Sequence, residues 1–301
     1  MGFMYCYGPS IGIIRSIDIK DIKELACGSM VRNGIKPDSN KKSGRIVKQM
    51  KSAVTLHKIK KTYITGKKET TIIKNLSLTI EEGSFIAVMG PSGSGKTTLL
   101  NVTSGIDKID SGVVMILGVD ITKMSSSDLA DFRKHNIGIV FQDFNLIDSL
   151  NVKENIILPL DLCLLEASEI ETLVNQKAKT LGIEKLLDRD VYEISGGEQQ
   201  RVAICRAIIN TPKVLFADEP TGNLDSKSTK SVMQYLRKVS FEEKCTIVMV
   251  THDAFAASYS DKVLFFRDGQ IVKELEKEAD QSCFHKRLLQ EQEEFSEDSF
   301  D

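Results

Sequence analysis

Short stretches with strand periodicity alternate with stretches of helical periodicity from Val54 onward. Residues 54–57 and 72–80 alternate apolar and polar side chains, as half-buried strands do. Continuous apolar runs, typical of parallel strands covered by helices on both faces, occupy residues 85–89, 214–217 and 246–250. Because strands that alternate with helices form layered α/β structures, this pattern predicts an α/β domain.

The segment between Gln142 and Ser195 is mainly helical in its pattern, most clearly over residues 161–181. We therefore predict a helical subdomain, about residues 143–210, inserted in the α/β core. The sequence shows no long heptad run and no internal repeat.

The first part of the chain differs from its patterned middle. Residues 1–50 have no clear period and end in a polar, basic stretch, so we predict a poorly ordered extension. An alternative stays open, in which this extension is not native and translation begins at Met50, directly before the first patterned strand.

The last part of the chain is strongly acidic. From Glu274 onward it holds ten acidic residues against three Lys or Arg. Residues 275–301 are therefore predicted as an acidic C-terminal tail, solvated and partly disordered. The alternative is a short docking helix with Phe284, Leu288 and Phe295 along one side.

Composition and charge narrow the classes of protein. The chain has 301 residues, 41% hydrophobic and 27% charged, which fits a soluble globular protein of one or two domains. A formal net charge of -2 gives no reason to expect nucleic acid as a partner. Six scattered cysteines form no CxxC pair and the chain has no His cluster, which argues against a metal site of that kind and favours a reducing cytoplasm. No apolar run approaches the ~18 residues that span a membrane, and no signal peptide is predicted.

A phosphate-binding loop is predicted at MGPSGSGKTT, residues 89–98, which fit G-x-x-x-x-G-K-[ST] between an apolar strand and a helical stretch. Glycines in this pattern let backbone amides face a β-phosphate without Cβ clashes. Lys96 is expected to reach the β- and γ-phosphates, and the Thr97 hydroxyl to bind Mg²⁺. The predicted nucleotide-binding residues of the loop are Gly90, Pro91, Ser92, Gly93, Ser94, Gly95, Lys96, Thr97 and Thr98.

Two acidic residues end the apolar run at residues 214–217. Carboxylates that leave the C-terminal end of a parallel strand lie at the crevice where such sheets bind ligands. Asp218 suits the Mg²⁺ shell, and Glu219 suits a base that orients or deprotonates water. An acidic strand end by itself is more often a helix N-cap, but the phosphate loop in the same chain favours the catalytic role.

With these motifs in order, the segment from Val54 to about Glu274 resembles the nucleotide-binding subunit of an ABC transporter, and residues 51–274 are predicted as its ATPase domain. The resemblance implies a P-loop NTPase core of ABC type, with an antiparallel β subdomain beside the inserted helical subdomain. It also implies ATP and Mg²⁺ as ligands and ATP hydrolysis as the activity.

Further positions match functional residues of this family. Tyr63 stands where the family has an aromatic ring that stacks on adenine; the alternative is an ordinary half-exposed strand tyrosine. Gln142 matches a loop glutamine that touches Mg²⁺ and moves with the helical subdomain. His252, in VTHD, matches the histidine that contacts the γ-phosphate. The resemblance thus implies Glu219 and His252 as catalytic residues, and Thr97, Gln142 and Asp218 as Mg²⁺ ligands.

The stretch ISGGEQQR, residues 194–201, is a second phosphate-binding pattern that resembles the signature of the family. In the family this loop closes on the ATP of a second subunit. The resemblance therefore implies a dimer of two copies, with each ATP between Lys96 of one chain and Ser195 of the other. Asp225 resembles the residue that communicates across that dimer. The signature residues are Ser195, Gly196, Gly197 and Glu198.

A narrower resemblance concerns the transported molecule. Residues 144–160, 192–201 and 216–226 are similar to the branch that serves lipoprotein release, macrolide efflux and peptide-antibiotic resistance. Residues 251–275 look most similar to the bacitracin-type resistance transporters. This implies a separate integral-membrane permease and a peripheral position on the cytoplasmic face of the plasma (inner) membrane. An ATPase of a lipoprotein-release or cell-division regulatory complex stays open as the alternative.

Apolar residues in the loop after Gln142 have two open interpretations. They are expected either to face the coupling helices of the permease or to belong to the core of the helical subdomain. These residues are Phe144, Leu146, Ile147 and Leu150.

Overall fold

The computed structural model of the chain describes residues 51–66, 68–160, 164–278 and 280–297. Residues 1–50, predicted as a poorly ordered extension or as not native, lie outside the described residues, and both alternatives stay predictions. The side chain of Phe295 also lies outside the described part.

Four strands form an antiparallel sheet: β1 (Ser52–Thr65), β2 (Lys68–Glu81), β4 (Ser111–Ile116) and β5 (Val119–Asp120), in the order β2-β1-β4-β5. The strands β1 and β2 are longer than the predicted stretches 54–57 and 72–80. The prediction stopped short because the pairing of the two strands changes register at several points between Leu56 and Thr62. Each shift moves the following side chains to the other face, so the alternation in the sequence is lost there. This sheet is the predicted antiparallel β subdomain.

The second sheet has six strands: β3 (Phe85–Met89), β6 (Ile137–Val140), β7 (Val214–Asp218), β8 (Thr246–Val250), β9 (Lys262–Arg267) and β10 (Gln270–Glu276). Their order is β10-β9-β3-β8-β7-β6, and all neighbours are parallel except β9 and β10. The three apolar runs in the sequence are confirmed as β3, β7 and β8, each buried along its whole length. The predicted α/β fold class is therefore confirmed.

Successive residues of the central strands face two different cores. In β3, Phe85, Ala87 and Met89 pack with the helices, whereas Ile86 and Val88 pack toward the antiparallel sheet. Because both faces are covered, the strand carries no polar position, as expected for a buried parallel strand. Because β3, β8 and β7 are parallel neighbours, the loops that follow them leave the sheet on the same side, at the C-terminal ends of the strands.

The helices are α1 (Lys96–Thr103), α2 (Ser126–Asn136), α3 (Val152–Ile157), α4 (Ala167–Leu181), α5 (Gly196–Ile208), α6 (Ser226–Glu242), α7 (Ala254–Ala257) and α8 (Gln281–Glu297). Short 3₁₀ turns lie at Ile121–Lys123, Glu184–Leu186 and Val191–Glu193. The helices α3, α4 and α5 fall within residues 143–210, the range predicted as a helical subdomain, and they pack on one another. Among the described residues, no helix combines the length and apolar character needed to cross a bilayer.

The helix predicted over residues 161–181 begins later than expected. It starts at Ala167, after Glu166 in extended backbone, and the Glu166 N–H donates to the side chain of Glu169 at 2.9 Å. This cap satisfies a free backbone donor and fixes the start of the helix. The prediction is therefore wrong for residues 164–166, while residues 161–163 lie outside the described part of the chain.

The C-terminal segment also differs from its prediction. Leu275 and Glu276 still belong to β10, and Gln281–Glu297 form α8. The helix buries Phe284 and Leu288, which are 3% and 0% exposed, whereas acidic residues such as Glu293 are exposed. Burial of a one-sided apolar stripe outweighs the high charge of the segment. The structure therefore differs from the expected solvated, partly disordered tail over this helix, and it agrees with the docking-helix alternative at Phe284 and Leu288.

Candidate nucleotide-binding and catalytic site

The phosphate loop connects β3 to α1 and packs closely on its neighbours. Gly95 caps α1 with a φ of +98°, and a Cβ there would lie 2.4 Å from Ile72 Cγ2. A Cβ on Gly90 would lie 2.1 Å from the carbonyl oxygen of Phe266. Both positions therefore require glycine. This packing holds the loop at the N-terminus of α1, where backbone amides and the helix dipole favour a bound anion.

Lys96 lies across the phosphate loop. Its Nζ donates to the carbonyl oxygens of Gly90 and Pro91, each at 2.9 Å. Burial lowers the pKa of Lys96, opposed by the negative charges of Glu219 and Asp218. Because a phosphate oxygen is a stronger acceptor for an ammonium than a neutral carbonyl, the side chain can exchange these contacts for a nucleotide phosphate.

Two of the three predicted Mg²⁺ ligands, from distant parts of the chain, lie in contact. Thr97 Oγ1, in the first turn of α1, donates to Asp218 Oδ1, at the end of β7, at 3.1 Å. Burial raises the pKa of Asp218. A hydroxyl and a carboxylate are oxygen ligands of the kind that Mg²⁺ prefers. This donor set therefore fits a magnesium ion.

Glu219 and His252 form a pair at the ends of two neighbouring strands. His252 Nδ1 lies 3.0 Å from the Glu219 carboxylate, and the Glu219 N–H donates to the Val250 carbonyl at 2.9 Å. Glu219 has a φ of 44°, in the left-handed region that non-glycine residues uncommonly adopt. The Glu219 side chain is 11% exposed and that of His252 62%. The carboxylate is thus held in place while the imidazole is free to meet a ligand.

The predicted nucleotide site forms one open cavity of about 470 Å³. Its lining is drawn from the antiparallel sheet, from the first turn of α1 and from the loops after β3, β6, β7 and β8. The lining residues are Tyr63, Ile72, Ser92, Gly93, Gly95, Lys96, Thr97, Thr98, Gln142, Glu219 and His252. Gly90, Pro91 and Ser94, also predicted as nucleotide-binding residues, do not line this cavity, and Ser94 Oγ is buried without a hydrogen-bond partner among the described residues. The structure therefore brings the separate motifs of the sequence to one place.

Tyr63 lies at the rim of this cavity and is 39% exposed. Its hydroxyl donates to Asp107 Oδ2 at 2.7 Å, and Lys61 Nζ lies 4.7 Å from the ring centre. Burial, and then the hydrogen bond to Asp107, raise the pKa of Tyr63. These contacts fix the plane of the ring beside the cavity. Sequence reasoning missed Asp107, which lies in a loop without a recognisable motif.

Ser195 does not line the cavity that holds Lys96. It caps α5, and its N–H and Oγ–H donate to Glu198 Oε2 at 2.8 and 2.7 Å, contacts that lower the pKa of Glu198. A Cβ on Gly197 would lie 2.9 Å from Ser228 Oγ, so the signature stretch packs on the first turn of α6. Asp225 caps that helix by accepting from the Ser228 N–H at 3.0 Å.

The loop after Gln142 is tied to two other parts of the site. Arg206, on α5, donates to the carbonyls of Phe144 and Asn145 at 2.7 and 2.6 Å, and both residues have positive φ. Asn223 Nδ2 donates to the Gln142 carbonyl at 3.2 Å. Sequence reasoning missed Arg206, because nothing in a helical pattern tells which distant carbonyls an arginine reaches. These hydrogen bonds join the loop that carries Gln142 to α5 and to the loop after β7.

Comparison with known proteins identifies the family. The family model described as ABC transporter matches residues 73–222. The ABC transporter ATP-binding protein YxdL of Bacillus subtilis (strain 168) is 46% identical over 240 residues, 80% of this chain and 93% of that protein. The bacitracin export ATP-binding protein BceA of Halalkalibacterium halodurans is 43% identical over 235 residues, 78% of this chain and 93% of that protein.

A solved structure agrees with these relatives. The dimeric post-hydrolysis state of the ATP-binding cassette MJ0796, from Methanocaldococcus jannaschii, bound to ADP and Pi, has a TM-score of 0.71 and 37% identity. The match covers 74% of this chain and 98% of that structure. With shared motifs and such identities over most of the relatives' length, the chain belongs to the ATP-binding subunits of ABC transporters, which are ATPases.

Proposed function

We propose that this subunit powers a separate integral-membrane permease that exports, or gives resistance to, a peptide antibiotic. It would act as a peripheral protein on the cytoplasmic face of the plasma (inner) membrane. The similarity to a bacitracin export ATP-binding protein over 78% of the chain supports the substrate class. Ile147, in the loop after Gln142, is 44% exposed and offers an apolar contact for such a permease.

The observation that carries the proposed mechanism is the separation of two phosphate-binding elements. Glu219 and His252 share a cavity with the Lys96 loop, whereas Ser195 lies outside it. A signature loop that does not reach its own chain's nucleotide suits the nucleotide of a second copy. We therefore propose a dimer with two ATP molecules, each between Lys96 of one chain and Ser195 of the other.

Within each site, ATP is proposed to bind through Tyr63 at the adenine and through the phosphate loop at its phosphates. We propose that Thr97, Asp218 and Gln142 would hold a Mg²⁺ ion, which when bound would supply positive charge to offset that of the phosphates. Lys96 exchanges its carbonyl contacts for phosphate oxygens, since charge-assisted hydrogen bonds are stronger.

Hydrolysis then needs a base and a group that orients it. Glu219 takes a proton from a water molecule while the water oxygen bonds to the γ-phosphorus. The bond from that phosphorus to the bridging oxygen breaks, and its electrons leave with ADP. His252 holds the Glu219 carboxylate and contacts the γ-phosphate. Because these γ-phosphate contacts are lost on hydrolysis, the closed dimer is favoured only before the reaction.

The substrate class is tested in the cell that carries the gene. Cells in which the native copy is replaced by Glu219→Gln should become sensitive to bacitracin-type peptides, with unchanged sensitivity to macrolides. Restoring the wild-type chain should restore resistance, which controls for effects on neighbouring genes. Unchanged sensitivity to peptides, with sensitivity to macrolides or a defect in lipoprotein release instead, would contradict the proposed substrate.

A further inference from the structure

The C-terminal helix α8 packs against the segment that carries the catalytic histidine. Its buried residues Phe284 and Leu288 belong to the hydrophobic core between the six-stranded sheet and the helices. His285 packs edge-on against Phe255 of α7, with ring centres 5.7 Å apart. Because α7 begins two residues after His252, the helix lies beside the loop between β8 and α7.

One side chain of α8 reaches the catalytic histidine directly. Gln292 Nε2 donates to the backbone carbonyl oxygen of His252 at 3.3 Å. An ion pair between Lys273 of β10 and Glu291 holds the same turn of α8 against the sheet. The far end of the helix is therefore fixed where it meets the His252 loop.

The position of Gln292 on the helix distinguishes this contact from ordinary docking. Phe284, Leu288 and Gln292 are spaced by four residues and so lie on one face of α8. The first two are buried apolar residues. The third position of this face is an amide, and its donor meets a carbonyl oxygen that the end of β8 leaves available.

We propose that Gln292 is a positioning residue for His252, and that the C-terminal helix thereby controls the rate of ATP hydrolysis. The proposal rests on the role assigned to His252 under the proposed function. Holding the backbone of His252 also holds its imidazole, which lies 3.0 Å from the Glu219 carboxylate. When the hydrogen bond from Gln292 to the His252 carbonyl is broken, the imidazole leaves this geometry more often, and bound ATP is hydrolysed more slowly.

Steady-state ATPase kinetics of the full chain test this role. Gln292→Leu keeps a side chain of similar size on the docking face but removes the donor. We expect kcat to fall about three- to tenfold, the factor that one neutral hydrogen bond is worth. The KM for ATP should not change, because Tyr63 and Lys96 are untouched. Gln292→Lys, which keeps a donor, should restore part of the lost rate.

Gln290→Leu is the matched control, since Gln290 is an exposed glutamine two residues earlier on the same helix. It should leave kcat and thermal stability unchanged. If Gln292→Leu lowers only the melting temperature and leaves the kcat of the folded enzyme unchanged, the residue is structural and the proposal is overturned. The same holds if both variants lower kcat equally.

A spectroscopic measurement gives a readout apart from turnover. The chain has four histidines, and His252 can be assigned in NMR spectra of histidine-labelled protein by its loss in His252→Ala. Gln292→Leu should shift the His252 ring signals, while those of His57 and His135, on other elements, should not move. An unmoved His252 signal would overturn the proposal.

A double variant separates the positioning role of Gln292 from the role of His252 under the proposed function. If Gln292 acts through His252, adding Gln292→Leu to His252→Ala should lower the residual single-turnover rate no further. An additional loss of the same size as in the wild type would contradict the coupling while leaving the role of His252 intact. Full activity of His252→Ala itself would instead contradict the proposed function.

Discussion

His252 Nδ1 lies 3.0 Å from the carboxylate of Glu219, although 33 residues separate the two positions in the chain. The contact arises because β7 and β8 are parallel neighbours, with Asp218 paired to Val250, so that the residues after them leave the sheet together. This contact with the imidazole holds the Glu219 carboxylate, the base in the proposed function, in one orientation.

Replacing Glu219 by Gln should retain ATP binding and lower turnover by roughly 10² to 10⁴, the usual contribution of a general base. The amide keeps the shape of the side chain and a contact with His252 but cannot take a proton. Turnover is measured by phosphate release and binding by titration with ATP. Glu171→Gln, at an exposed position on α4, is the control and should be fully active. Wild-type turnover in Glu219→Gln would place the base elsewhere, with His252 or Asp225 as the next candidates.

Tyr63 is expected to contact the adenine of ATP through its ring and not through its hydroxyl. The hydroxyl is already engaged by Asp107 at 2.7 Å, so the ring is the group left for a ligand. Tyr63→Ala should weaken ATP binding by about 1–3 kcal/mol, the range seen for base stacking. GTP should also support measurable activity, because stacking discriminates poorly between purines. Equilibrium titration and ATPase assays give both results.

Tyr63→Phe is the matched comparison, since it keeps the ring and removes only the bond to Asp107. Its affinity for ATP should stay closer to the wild type than that of Tyr63→Ala. Equal losses in both variants would mean that the hydroxyl contact matters, and unchanged affinity in both would return Tyr63 to an ordinary strand residue.

Two buried thiols should resist alkylation in the folded protein. Burial raises the pKa of Cys205 and of Cys245 to about 12 in each case. At pH 8 a thiol with such a pKa is only about 10⁻⁴ thiolate, the form that reacts. Cys283 is exposed on α8 and should react with iodoacetamide first. Peptide mapping after a short reaction should find label on Cys283 alone among these three, and on all three after unfolding in urea. Early label on Cys205 or Cys245 would show that the core opens locally.

Much of the fold follows from the sequence because buried parallel strands are apolar at every position. The strands β3, β7 and β8 could therefore be located from composition alone, and the motifs after them mark the edge where the site forms. The bulged strands were predicted too short, since each shift in register erases the alternation on which the prediction rests. The start of α4 differs from the prediction because the capping box of Glu166 and Glu169 sets where the helix begins, and the apolar pattern before it does not.

The parts of the site that the sequence did not predict are contacts between loops. Tyr63 meets Asp107, and Arg206 meets the carbonyl oxygens of Phe144 and Asn145, through distances that only the assembled sheets set. The same is true of Gln292 and the carbonyl of His252. In each case one partner is a backbone carbonyl or a residue in a loop without a motif, so no spacing in the sequence marks the pair.

Complementation between two inactive variants tests whether Ser195 serves the nucleotide of a second copy. Lys96→Ala removes the ammonium that one loop offers to its own ATP but keeps the signature loop. Ser195→Arg keeps the phosphate loop but replaces a hydroxyl that now donates to Glu198 at 2.7 Å with a bulky cation. Each variant by itself should be inactive, because every site in its dimer lacks one of the two groups.

A mixed dimer, in contrast, contains one whole site and one site that lacks both groups, if sites form between chains. Mixing should therefore restore part of the ATPase activity, most clearly with the permease present to hold the subunits together. If each site instead formed within a single chain, no mixture would contain an intact site, and activity would stay at background. Should hydrolysis need both sites closed, ATP-dependent dimerisation of the mixture, with Glu219→Gln added to both chains, replaces turnover as the measurement. If the mixture shows neither activity nor dimerisation, the shared site is contradicted, because a whole site between chains should at least bind ATP and close.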